Sequence, residues 1–203
     1  NNPSSVMTHA PTDANRAHLA ASFIEEVKAR YGGTRLGLQE LEGALLEDAE
    51  GALWTSAMLE RGRVDVAPRL SRVVVAVDPP VTGHAGSDEC GIVVVGAVTE
   101  GPVQDWRAFV LEDASVQGAS PDTWARAAVA AMERHGADRL VAEVNQGGDL
   151  VQSVIRQVDP LVSFKAVRAS KGKAARAEPV AALYEQGRVS HLRGLARLED
   201  QMC

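Results

Sequence analysis

Two acidic residues stand where their neighbours give an acid little reason to be. Asp78 closes the run Val73-Val74-Val75-Ala76-Val77 and precedes Pro79-Pro80. A continuous β-branched run of this kind predicts a strand buried on both faces. Pro79 stops ladder pairing beyond that point, so Asp78 belongs at the strand's exit. Open α/β sheets place their sites at such rims, although an Asp that merely starts a turn fits the same position. Glu143 lies inside Leu140-Val141-Ala142-Glu143-Val144, an otherwise apolar strand. Glu is a poor strand former, and a buried carboxylate is costly unless it is paired or bound to metal. If these two strands are parallel neighbours, both acids fall at one end of the sheet. Held close, they repel each other, and a divalent cation is their natural partner. The plain alternative for Glu143 is a strand residue that faces solvent.

Other polar residues cluster around these two. Asn145-Gln146-Gly147-Gly148-Asp149 follows Glu143 and Val144 directly. Its glycines permit sharp turning near a ligand. Asp149 with Gln152 has the spacing of a helix capping box, so Asp149 reads mainly as a cap and secondarily as a ligand. Asn145 could orient a metal-bound water or touch substrate. Asp88, in Gly86-Ser87-Asp88-Glu89, is brought back towards Asp78 by a hairpin, and either a metal role or a surface loop position suits it. His84, in the same loop, receives no role. Lys171-Gly172-Lys173-Ala174-Ala175-Arg176, with Arg168 before it, is the concentrated basic stretch. It opens a predicted helix, where the dipole already disfavours cations. That placement points to an anion, and phosphate fits. A solvated helix start paired with Glu178 is the alternative.

The elements that position these residues follow from periodicity. Helices are expected from Asp13 or Asn15 to Arg30, with Phe23, Ile24 and Val27 inward, and from Thr34, with Leu38, Leu41, Leu45 and Leu46 inward. A short one after Thr55 carries Met58 and Leu59. Strands are expected over 73–77, 90–98 and 106–111, joined by short links as an antiparallel meander. Pro121 suits the first turn of a helix over 122–135, with Trp124, Ala128, Val129 and Met132 on its apolar side. A strand over 139–144, a helix over 150–158, a strand over 162–167, a helix over 171–186 stopped by Gly187, and a strand over 189–192 complete the order. From Arg72 onwards this reads β-β-β-α-β-α-β-α-β, an α/β fold with a mixed sheet and flanking helices. Residues 1–63 read as a helical appendage and 64–203 as the main domain.

Bulk properties narrow the classes. The 203 residues are 45% hydrophobic and 24% charged, enough for one sizeable core. The net charge of −6 is unusual for a protein that grips DNA alone, so any DNA contact must come from a local patch or another domain. No apolar run approaches the roughly 20 residues that span a bilayer, and a secretory layout is lacking at the N-terminus. The cysteines Cys90 and Cys203 have no metal spacing and read as reduced thiols of a cytoplasmic protein. The nucleotide phosphate-loop pattern, the Gly-x-Ser-x-Gly elbow and the His-Glu-x-x-His zinc motif are missing from these residues.

The chemistry-bearing stretches resemble the nuclease domain of terminase large subunits, in particular those of phages and gene transfer agents. Val73 to Pro80 with Asp88-Glu89-Cys90-Gly91-Ile92 resembles its opening hairpin, and Val141 to Asp149 its second acidic strand. Lys171 to Val180, followed by Tyr184-Glu185-Gln186-Gly187-Arg188-Val189, resembles its basic helix. Arg35 to Gly43, with Glu47-Asp48 and Gly51 to Trp54, resembles the link between motor and nuclease. The resemblance implies an RNase H-like fold and a metal-dependent endonuclease that cuts double-stranded concatemeric DNA during packaging in the bacterial cytoplasm. Two Mg²⁺ or Mn²⁺ ions are the cofactors expected for such chemistry. The partners the resemblance implies are an ATPase domain on the same large subunit, a small terminase subunit and a procapsid portal, with no membrane. The family places a third catalytic Asp in a final helix. Leu198-Glu199-Asp200-Gln201-Met202-Cys203 resembles the segment just before it, so the third ligand is expected beyond these residues and Asp200 is not given that role.

On this reading Asp78 bridges two metal ions, Glu143 holds one, and Lys171, Lys173 or Arg176 positions phosphates. Other readings on the same fold are a recombinase, transposase or Holliday-junction resolvase, and a degenerate module that only docks on DNA or a procapsid. A sugar-kinase-like fold is disfavoured by the lack of phosphate-binding glycine loops.

Overall fold

A computed structural model of the chain describes residues 52–80, 89–144 and 148–203. The helices expected within 13–50, and His84, Asp88 and Asn145, lie outside the described residues. The chain divides into two compact units, Ala57–Arg193 and a second made of Asn1–Ser56 with Gly194–Cys203. Helix α1 (Ser56–Arg61) follows Thr55 and buries Leu59. In the second unit a short helix, α5 (Ala196–Asp200), ends on Asp200.

The first unit is built on a seven-stranded sheet. Its strands are β1 (Arg63–Val64), β2 (Arg72–Asp78), β3 (Gly91–Val98), β4 (Arg107–Asp113), β5 (Arg139–Glu143), β6 (Phe164–Val167) and β7 (Val189–Leu192), in the spatial order β1-β7-β4-β3-β2-β5-β6. β3 runs antiparallel to both its neighbours, β2 and β4, and the other pairings are parallel. The meander and the alternating strands and helices therefore appear in the expected order, and the architecture is RNase H-like. One strand was not expected. The two residues of β1 carry no periodicity of their own, and they join the sheet through parallel pairing with β7. β1 straddles the boundary expected between residues 63 and 64.

Helices α2 (Pro121–His135), α3 (Gly148–Val158) and α4 (Lys173–Glu185) complete the unit. Ser120 caps α2 by accepting the Thr123 amide at 3.3 Å, Pro121 occupies the first turn, and Gly136 ends the helix at φ 55°. α4 stops as expected at Gly187, whose φ of 65° is open to glycine at little cost.

The core cluster of the described residues that surrounds β2 lies on one face of that strand. Val75, Val77, Ile92, Val94, Leu140 and Ala142 pack with Trp124, Ala128 and Ile155 in a single cluster. The expectation that β2 is buried on both faces is corrected here. Val75 and Val77 are buried, but Ala76 and Asp78 are exposed. The reason is that α2 and α3 contribute to the one cluster that covers the odd-numbered side of β2, and successive strand residues face opposite ways.

Candidate active site

The same alternation decides where the two acids point. In the parallel pairing of β2 with β5, Val77 lies beside Ala142, and both are buried. The next residue on each strand is an acid, Asp78 on β2 and Glu143 on β5. Both strands end there. Asp78 and Glu143 thus leave the sheet at the same rim and on the same side, away from the apolar cluster. On the other flank of Asp78 the cross-strand partner is Gly91, which places no side chain against it.

The electrostatics agree with this placement. Partial burial at the strand ends pushes the Asp78 carboxyl above its ordinary value, and the negative charge of Glu143 pushes it further. The positive charges of Lys173 and Arg176 act in the opposite direction without cancelling the rise. Beside Asp78 in space, the buried Cys90 thiol is pushed up to about 12, first by burial and then by the charges of Asp78 and Glu89. It is a neutral, inert thiol at physiological pH.

Arg176 lies in the first turn of α4 and donates from Nη1 to Glu143 Oε2 at 2.7 Å. The side chains are 37% and 25% exposed respectively, so the pair is neither sealed from water nor freely solvated. Lys171 is exposed in the turn ahead of the helix, and Lys173 is its first residue. The structure therefore gathers Asp78, Glu143, Lys173 and Arg176. Asp149 falls inside the first turn of α3, because that helix begins at Gly148, two residues earlier than a cap at Asp149 requires.

The ion pair between Arg176 and Glu143 is not legible in the sequence, where local spacing offers Glu178 as the partner. The two residues are 33 positions apart and meet only through the tertiary fold. A second such contact is the Tyr184 hydroxyl, 2.7 Å from Nε2 of the buried His191 on β7. No local spacing signals either one.

Oxygen donors on two adjacent carboxylates suit a hard divalent cation, and their mutual repulsion is what such an ion relieves. Among the described residues no group of three His, Cys, Asp or Glu side chains forms a metal-binding cluster. The donors present amount to a pair that fits an ion as part of its coordination, with other ligands needed to complete it.

Comparison with known proteins points to one family. The family model described as the terminase RNaseH-like domain matches residues 75–203. Among solved structures, the large terminase of a thermophilic bacteriophage in complex with ADP superposes with a TM-score of 0.52 at 14% identity. The match covers 92% of this chain and 44% of that one. The same terminase in complex with ATP-gamma-S gives a TM-score of 0.50 at 15% identity, covering 91% and 44%. At such identities the likeness shows the fold. This chain spans less than half the length of that terminase. A search of curated proteins gives no match.

Proposed function

The chain belongs to the terminase RNaseH-like domain family, and from that premise we propose that it is the metal-dependent endonuclease of a large terminase, cutting double-stranded concatemeric DNA during packaging. The observation that carries this reading is the shared position of Asp78 and Glu143 at one rim of the sheet, on the side away from the core.

In this reading Asp78 and Glu143 would contribute to holding two divalent cations, Mg²⁺ or Mn²⁺. Bound there, the ions supply activation of water and neutralisation of charge on the leaving oxygen of a phosphodiester. The protein's own part is to fix the two carboxylates on adjacent strand ends, where a rigid sheet holds them before substrate arrives. Lys171, Lys173 and Arg176 place the DNA backbone by its phosphates, which sets position and orientation but reads no sequence. Asp88, Asn145 and Asp149 are assigned to the loops and helix start around the ions, Asp88 as a further ligand. Residues 64–203 form the nuclease domain in this proposal, and 1–63 the link to an ATPase domain of the whole protein. A small terminase subunit and a procapsid portal in a bacterial cytoplasm are the remaining partners.

The test is cleavage of supercoiled plasmid by the purified protein in Mn²⁺. Asp78→Asn, which removes one charged oxygen at nearly constant shape, is expected to abolish cutting. Undiminished cutting by that variant sinks the assignment. Strand transfer or a preference for branched junctions would instead favour a recombinase or resolvase on the same fold.

A further inference from the structure

Resting on the reading of Asp78 and Glu143 as metal ligands, we propose that Arg176 is the resident counter-ion of this carboxylate pair, which a divalent cation has to displace from Glu143. The guanidinium reaches the site from α4 and takes up Glu143 Oε2 at 2.7 Å. A carboxylate oxygen engaged in a charge-assisted bond to arginine is not available in the same geometry to a metal ion. The two cations compete for one acceptor.

Three features make the competition consequential. Arginine keeps its charge at every pH the protein meets, so the pair is not released by proton loss. The side chains are partly exposed, so the guanidinium has somewhere to go when it leaves. Arg176 also stands in the first turn of its helix, where the backbone dipole disfavours a cation. An anion opposite that position offsets the penalty, and Glu143 is the anion the fold provides. Once displaced, the guanidinium can take a DNA phosphate, the role proposed for it above. Arg176 is thus a positioning residue that sets how readily the site loads, and linkage requires that a ligand which draws it away from Glu143 raises metal affinity by the same factor by which the metal raises affinity for that ligand.

Calorimetric titration of the whole chain with Mn²⁺ alone tests the idea without reference to cleavage. Arg176→Gln removes the charge and keeps a hydrogen-bonding side chain of similar reach. It is expected to bind Mn²⁺ about tenfold more tightly than the wild type, the size expected from deleting one like charge near the ion in a half-solvated site. Arg176→Lys, which keeps the charge, is expected to stay close to the wild type. Asp78→Asn is expected to abolish binding. Equal or weaker Mn²⁺ binding by Arg176→Gln, with Asp78→Asn still abolishing it, overturns the counter-ion role and leaves the metal site standing. Equal tightening by Arg176→Lys also overturns it, because charge is then not the cause. Wild-type binding in Asp78→Asn, or no binding in any of these proteins, removes the metal site itself and the proposal with it.

Discussion

At the scale of single residues, Asp78 is held where a charged carboxylate is disfavoured. Partial burial and the nearby Glu143 both raise its carboxyl above the ordinary value, and Lys173 and Arg176 offset only part of that rise. A carboxyl with a raised folded value is a net cost while it is charged. The cost is fully present above the folded value and fades as the pH falls through it towards the unfolded one. Asp78→Asn is therefore expected to raise the melting temperature of the metal-free protein at pH 7, by roughly 1–2 °C given the exposure of the side chain. The gain should vanish near pH 3. A lower melting temperature at pH 7 contradicts this picture. Sites that trade stability for function commonly show such a gain. Both acids were legible as candidates because each interrupts or ends an apolar run. Arg176 was legible only as a cation in need of an anion. That the anion is Glu143, 33 residues away, is a product of the fold.

At the scale of elements, the site depends on how β2 and β5 are held in register and how the helices behind them are pinned. Parallel pairing over Val74–Val77 and 139–142 brings the two strand ends level. Leu140 and Ala142 are fully buried against the helical layer, so β5 cannot slip by one residue without turning its apolar side outwards. The far end of α2 is tied to β4 by Glu112, which accepts from Arg134 at 2.5 Å and lies 2.6 Å from His135 Nε2. Burial alone would raise the Glu112 carboxyl, but the bonds and charges of Arg134 and His135 outweigh it and hold the group below its ordinary value. A lowered folded value contributes stability above the unfolded value and loses it as the pH drops through the folded one. Glu112→Gln is expected to cost about 0.5–1 kcal/mol in urea unfolding at pH 7, since the pair is partly exposed, and less at pH 3, where the carboxylate is being protonated. A cost of equal size at both pH values would assign Glu112 a packing role instead. The start of α2 and the stop of α4 are readable from Pro121 and Gly187, because such signals are local, whereas the Ser120 cap comes from the structure. The two-residue β1 was not, since its pairing to β7 is supplied by a strand more than a hundred residues later.

At the scale of the whole molecule, a net charge of −6 sits beside a site that holds two carboxylates and at least two cations. The acidity that argues against a free-standing DNA binder is compatible with the function proposed above, in which phosphate contacts are local to the start of α4. Strand order was beyond the reach of periodicity. That β7 inserts between β1 and β4, and that the core covers one side of β2 only, depend on contacts between distant elements. The antiparallel meander, by contrast, follows from the short links, whereas the adjacency of β2 and β5 stands in the sequence only as a condition and is supplied by the fold. The central claim is that the rim shared by Asp78 and Glu143 is a metal centre. Crystals of the protein soaked in Mn²⁺ and measured for anomalous scattering test it most directly. The expected result is an anomalous peak within bonding distance of both carboxylates, with the Arg176 guanidinium moved off Glu143. No peak at that rim in crystals where Mn²⁺ binds elsewhere would contradict it.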